Sequence, residues 1–187
     1  MDEAGRGALV GPVVAAAVIM PSGLKKSWRS QVRDSKLLTP LQREKLFGFI
    51  SEAAVDTGVG SASNDEIDSI GIAGATRRAM VAAIGRLEPQ PEFILVDFFH
   101  IPEVELPQKG VVDGDTLCFS IACASIIAKV TRDRLLVELD RQYPGYGFAK
   151  HKGYGTREHL ACLRQRGPCP LHRRSFAPVR EIINEQA

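Results

Sequence analysis

Asp2 and Glu3 stand side by side, one residue ahead of Gly5-Arg6-Gly7. Asp97 closes the apolar run Phe93-Ile94-Leu95-Val96, and Asp113 and Asp115 bracket Gly114 just after Val111-Val112. Three predicted strands therefore end in carboxylates, and in open α/β sheets sites form beyond the strand ends. Carboxylates gathered in a low-dielectric site repel one another and need a cation, a proton or a hydrogen-bond network. An all-oxygen set without His or Cys suits hard divalent ions, Mg²⁺ or Mn²⁺. Two such ions about 4 Å apart are a common apparatus for phosphodiester hydrolysis. The competing reading is a set of unrelated acids in turns, where Asp is common. Spacing alone weighs the two readings equally.

The elements that must position these acids follow from the pattern around them. Gly5-Arg6-Gly7 is no helix signal, because each glycine costs a helix roughly 1 kcal/mol. Residues 11–20 (GPVVAAAVIM) are rich in Val and small residues and predict a central strand. Residues 21–35 are polar and read as a loop ending in Asp34-Ser35-Lys36-Leu37. Thr39-Pro40 reads as an N-cap with proline at the first helical position. The helix predicted from there, 40–54, would bury Leu41, Leu46, Phe49 and Ile50. Residues 55–62 predict an edge-like strand. Asn64 is the expected cap of a second helix with Ile67, Ile70, Ile72, Ala75 and Met80 on its apolar side, interrupted by Gly71 and Gly74. Strands are expected at 92–97 and 110–115. Residues 120–143 carry Ile121, Ala124, Ile127, Ala128, Leu135 and Leu139 at helical spacing.

The chain has 187 residues, 44% hydrophobic and 25% charged, with a formal net charge of +2. That is an ordinary globular composition, long enough for one domain with a substantial core. The expected organisation is a single domain over 1–187, with an α/β core at 1–143 and a basic, mainly helical segment at 144–187. No apolar run is long enough to span a membrane, and the chain opens on acids rather than on a signal peptide. Cys118, Cys123, Cys162 and Cys169 form no Cys-x-x-Cys pair and read as reduced packing thiols of a cytoplasmic, monomeric protein. The basic C-terminal segment reads as a clamp on a phosphate backbone, and its competing reading is a solvated helical surface.

The words around the acids are more specific than their spacing. Asp2-Glu3-Ala4-Gly5-Arg6-Gly7, Gly11-Pro12-Val13-Val14-Ala15-Ala16, Asp34-Ser35-Lys36-Leu37, Ser125-Ile126-Ile127-Ala128-Lys129-Val130-Thr131-Arg132-Asp133, His151-Lys152-Gly153-Tyr154-Gly155-Thr156 and His172-Arg173-Arg174-Ser175-Phe176 resemble ribonuclease HII, in that order, over residues 2–179. The resemblance implies a ribonuclease H-like fold, a central mixed five-stranded sheet flanked by helices, with a helical C-terminal extension. It implies metal-dependent endonucleolytic cleavage of the RNA strand of RNA–DNA hybrids and cleavage 5′ to ribonucleotides embedded in duplex DNA. It assigns Asp2, Glu3, Asp97 and Asp115 as catalytic metal ligands, and Gly5, Arg6, Gly7 and Tyr154 to reading the RNA–DNA junction. Ser35, Lys36, Arg173 and Arg174 are expected on the substrate backbone. His151 and His172 lie in matching motifs and read as hydrogen-bonded structural residues.

The chain departs from the family pattern in three places. Asp113 stands where the family usually has lysine, which leaves Asp113 in competition with Asp115. Phe98-Phe99-His100 follows Asp97 where smaller or polar residues are usual. Only Met1 precedes Asp2, so the first strand is expected to be short and the chain to be an incomplete or wrongly started version of a longer one. The alternatives are a ribonuclease HIII-like enzyme and a nucleic-acid-binding protein without catalysis. No sliding-clamp motif is assignable in residues 180–187.

Overall fold

Strand β2, Val13–Ile19, consists only of valine, alanine and isoleucine, and these side chains let helices approach both faces. The computed structural model describes residues 1–186. β2 lies between β1 (Asp2–Ala4) and β3 (Asp56–Ala62) and is antiparallel to both. β4 (Ile94–Asp97) and β5 (Gln108–Val111) form a parallel pair. Met1 joins the two sheets. Its amino group donates to the Leu95 carbonyl at 2.6 Å, and its carbonyl accepts from the Asp97 N–H at 3.0 Å. Backbone bonds therefore place β4 beside β1 and complete a mixed α/β arrangement.

Helix α1 (Pro40–Ala53) starts in a capping box between Thr39 and Gln42, and α2 (Asn64–Ile84) in one between Ser63 and Glu66. The cap of α2 is thus Ser63 and not Asn64, which is the first helical residue. Gly71 takes φ 74° and breaks α2. Ile70 precedes the break and is half exposed rather than buried. Leu41 is 81% exposed. At 3.6 residues per turn it lies about 140–180° around α1 from Leu46 and Ile50, which take the buried side. α2 covers one face of the sheet with Ile67, Ala75, Ala79, Met80 and Ala83 against Val13 and Ala15. Its approach is set by glycine: a Cβ on Gly58 would lie 2.0 Å from the Ala83 carbonyl oxygen, and one on Gly60 2.1 Å from that of Ala79.

β5 stops at Val111, short of the predicted 115. Asp113 turns into the left-handed region, φ 52°, and the one-turn helix α3 (Gly114–Leu117) follows. α4 (Phe119–Gln142) then covers the second face, packing Cys123, Ala124, Ile127 and Ala128 against Ala4, Ala16, Leu46 and Ile50. α5 (Phe148–His151), α6 (Arg157–Arg166) and α7 (Ala177–Gln186) complete the chain. Their small cores close on the turn after β1: Leu9 packs with Leu163, Val179 and Ile182, and Val10 with Leu136, Phe148 and Cys169. Among the described residues no helix is long and apolar enough to cross a membrane.

Candidate active site

The pleat of β1 separates its two acids. Asp2 pairs with Ala16 and Glu3 with Ala15, and neighbouring strand residues point to opposite faces. Asp2 faces α4, where its carboxylate accepts the Glu3 N–H at 2.6 Å and the Ser125 hydroxyl lies close enough to favour its charged form. Asp97, the last residue of β4, accepts the Gly114 N–H at 2.8 Å. That bond brings α3 against the end of β4, and Asp115 rides in with it. A Cβ on Gly114 would stand 2.6 Å from the end of the Ile121 side chain and 3.1 Å from the Asp97 carboxylate, so a larger residue there would have to displace both.

The outcome is that one carboxylate oxygen from each of Asp2, Asp97 and Asp115 lies within 4.8 Å of the other two. Asp113 is exposed on the left-handed turn and lies outside this group. Glu3 lines a cleft of about 270 Å³ together with Asp2 and Asp97 and is not itself one of the three clustered acids. Its Oε1 lies 3.4 Å from Arg6 Nη1, and its Oε2 is buried with no hydrogen-bond partner among the described residues. A larger hollow of about 560 Å³ lies elsewhere, among Met20, Leu87, Pro89 and Phe93, away from the acids.

Burial pushes the Asp2 carboxyl up to about 6, and the Asp97 charge beside it adds to the rise. Burial and then the Asp2 charge push Glu3 up to about 7 against the pull of Arg6. Burial and Asp34 also raise Asp115, opposed by Lys36. Lys36 Nζ lies 3.4 Å from Asp115 and 3.9 Å from Asp34. Burial lowers its pKa, but these two carboxylates outweigh that and hold it above the ordinary value. A buried, oxygen-only, mutually repelling set with an unpartnered carboxylate oxygen fits a divalent cation.

The remaining expected site residues divide. Gly5, Arg6, Gly7, Lys36 and Tyr154 line the cleft. The Arg6 guanidinium lies 4.5 Å over the Phe99 ring. The Tyr154 ring sits 5.6 Å from both Lys129 Nζ and the Arg132 guanidinium carbon. Ser35 lines the cleft as well; it is buried and shares a 2.8 Å hydrogen bond with the Ser125 hydroxyl, which ties the Lys36 turn to α4. Arg173 is fully buried and donates to the carbonyls of Gly11 and Arg6 at 3.0 and 2.9 Å. It braces the Arg6 loop from behind and is not a surface phosphate contact. Arg174 is exposed, its N–H donating to Asp68. The basic segment is also partly spent on itself, since Lys150 pairs with Glu158.

Residues 1–179 match the family model described as Ribonuclease HII. The chain belongs to the ribonuclease HII family. A ribonuclease HII from Dehalococcoides mccartyi is 59% identical over 98% of this chain and 87% of its own. The crystal structure of ribonuclease H2 from Pyrococcus horikoshii superposes with a TM-score of 0.82 at 29% identity, covering 98% of this chain and 95% of that one. Ribonuclease HII in its complex with PCNA from Archaeoglobus fulgidus gives 0.74 at 28% identity, covering 92% and 90%. As a ribonuclease HII the protein is an endonuclease acting on the RNA strand of RNA–DNA hybrids, and its mixed α/β architecture is the ribonuclease H-like fold.

Sequence reasoning passed over Ser125, Lys129 and Arg132 as individuals. Their spacing carried the signal: positions i, i+4 and i+7 put three polar side chains on one stripe of an otherwise apolar helix. Ser125 bonds Ser35, Ser125 and Lys129 line the cleft beside Asp2, and Arg132 donates to the carbonyls of Val10, Pro12 and Lys152. Phe99 had no such signal, because its contact with Arg6 depends on the path of the loop after β4.

Proposed function

We propose that Asp2, Glu3, Asp97 and Asp115 are the catalytic carboxylates and hold Mg²⁺ or Mn²⁺, two ions in the active complex. The supporting observation is the convergence of three of these acids within 4.8 Å, with Glu3 beside them. Ions held there would supply positive charge to the reacting phosphate and lower the pKa of a bound water. The overall hydrolysis adds water across the phosphodiester 5′ to a ribonucleotide: a P–O bond to water forms, the P–O3′ bond breaks, and O3′ leaves as a hydroxyl. The products carry 3′-OH and 5′-phosphate ends.

In this reading the protein's own groups bind and orient the junction. The 2′-hydroxyl distinguishes RNA from DNA locally, and the Gly5-Arg6-Gly7 backbone and Tyr154 flank the cleft where it would lie. Gly7 is exposed, and a Cβ there would meet nothing within 4 Å, so the fold does not demand glycine. An approaching sugar does. Lys36 and Lys129 supply positive charge to a phosphate. Arg174 remains a proposed backbone contact, and residues 144–187 are proposed as the segment that carries Tyr154 to the cleft.

The test is duplex DNA carrying one ribonucleotide, incubated with Mg²⁺ or Mn²⁺ and either this protein or Asp97→Asn. Cleavage 5′ to the ribonucleotide, lost in Asp97→Asn while binding persists, is the expected result. Near wild-type turnover of Asp97→Asn at saturating metal would remove Asp97 from the site.

A further inference from the structure

Behind Tyr154 lies a group of histidines that the proposed reaction does not use. His151, His159 and His172 are all buried, around Phe148 and Cys169. Every ring nitrogen has a partner, and the partners determine the tautomers. The Cys169 backbone N–H donates to His172 Nδ1 at 3.0 Å, so His172 carries its hydrogen on Nε2. That nitrogen lies 3.2 Å from His159 Nε2, which must accept. His159 then carries its hydrogen on Nδ1, 2.9 Å from the carbonyl oxygen of Tyr154, an atom that only accepts. His151 stacks on His159 at 4.2 Å between ring centroids. It donates from Nε2 to the Tyr146 carbonyl and accepts the Gly153 N–H on Nδ1.

This chain of bonds has one direction, from Cys169 through His172 and His159 to the backbone of Tyr154. It works only with neutral rings, since a second proton on His159 would set two N–H groups head to head. Burial is consistent with that state, lowering both His159 and His172 to about 4. The segment it holds is not relaxed by itself. Lys152 and Gly153 both take positive φ, 52° and 79°, immediately before Tyr154. His159 is itself fixed at the start of α6, where its N–H donates to Thr156 Oγ1.

We propose that His159 is a positioning residue for substrate discrimination, its Nδ1–H setting the backbone of Tyr154 and hence the ring in the cleft, with His172 selecting the tautomer. The inference rests on the reading of Tyr154 as a junction contact. Asn and Gln substitutions at 159 separate this role from simple core packing. The Asn amide mimics Nδ1 and can still donate to Tyr154, whereas the Gln amide mimics Nε2 and keeps only the His172 side. The Thr156 N–H also donates to the Tyr154 carbonyl, at 2.8 Å, so losing the histidine bond shifts the ring without releasing the loop.

The readout is the ratio of kcat/KM on duplex DNA with one ribonucleotide to kcat/KM on a continuous RNA–DNA hybrid, both in Mg²⁺, with thermal melts of each variant. His159→Gln should lower the ratio about three- to tenfold, as for one hydrogen bond, and His159→Asn should hold it within about twofold. In a Tyr154→Ala background His159→Gln should have no further effect on the ratio. Equal ratios for Asn and Gln, or a Gln effect that persists without the tyrosine ring, would overturn the proposal. If Tyr154→Ala alone leaves the ratio unchanged, the reading of Tyr154 fails and this inference falls with it. That outcome is distinct from a Tyr154 effect to which His159 does not contribute.

Discussion

Gly5 and Gly7 flank one arginine for opposite reasons. Gly5 takes φ +93°, and a Cβ there would lie 1.9 Å from Arg132 Nε. Gly5→Ala should therefore destabilise the fold, since Arg132 would give up bonds to three carbonyls and leave a buried charge uncompensated. Gly7→Ala meets no atom within 4 Å and should leave the melting temperature unchanged while weakening cleavage of a single-ribonucleotide duplex by about tenfold, from a sugar held off the backbone. Melts and single-turnover assays of the two variants check this, and an active Gly7→Ala would place the substrate elsewhere. The second residue-scale contrast is Asp113 against Asp115. Both bracket Gly114, and the resemblance to the family favours Asp115. The left-handed turn at Asp113 leaves that residue exposed, while Asp115 is buried beside Lys36, which supports Asp115 as the proposed ligand. Asp115→Asn should abolish cleavage, and Asp113→Asn should change it little beyond metal affinity through lost long-range charge. Measured rates in the reverse order would move the fourth ligand to Asp113.

At the scale of elements, helices with caps and apolar stripes were legible and close approaches were not. Thr39-Pro40 and the Ile/Ala stripe of α4 announce their helices to within a residue or two, because capping and periodicity are local. The end of β5 was misplaced because a strand and a strand running into a left-handed turn differ by one backbone angle at Asp113. Arg173 reads from sequence as one more surface cation of a basic segment. It is buried because its guanidinium finds main-chain carbonyls of a loop 162 residues away, a pairing no local pattern contains. Gly58 and Gly60 look like weak points in an edge strand, yet they are what lets α2 lie on β3. Gly60→Ala would set a Cβ 2.1 Å from the carbonyl oxygen of Ala79. Backbone cannot yield as a side-chain end can, so the expected cost is at the upper end of overpacking, about 3 kcal/mol. Denaturant melts of Gly60→Ala beside Gly48→Ala, a helical position with nothing within 4 Å, measure it, and equal midpoints would show that α2 is free to move off the sheet.

Across the whole molecule two titrating groups oppose each other, and the acids among them tie stability to the metal. His159 and His172 are depressed to about 4. Their contribution is complete above the unfolded value near 6.5 and is lost as pH falls toward 4, because the unfolded chain takes up the protons first. Asp2 and Glu3 are raised to about 6 and about 7. For raised acids the sign reverses: stability is fully present below their unfolded values near 4 and is lost as pH rises through 6 to 7, when the cluster must ionise against burial and its own charge. In metal-free protein that loss amounts to a few kcal/mol. A divalent cation in the cluster stabilises the ionised form only, so its effect must follow the same titration. Mg²⁺ at millimolar concentration should raise the melting temperature by several degrees at pH 8 and by little at pH 5. Asp97→Asn, with one charge fewer, should melt higher than the parent at pH 8 without metal and respond weakly to Mg²⁺. Scanning calorimetry of both proteins at the two pH values, with Mg²⁺ or with chelator, reads all of these shifts. A metal-induced shift of equal size at pH 5 and pH 8 would mean that the cation binds groups already ionised at pH 5, and would separate metal binding from the buried Asp2 and Glu3.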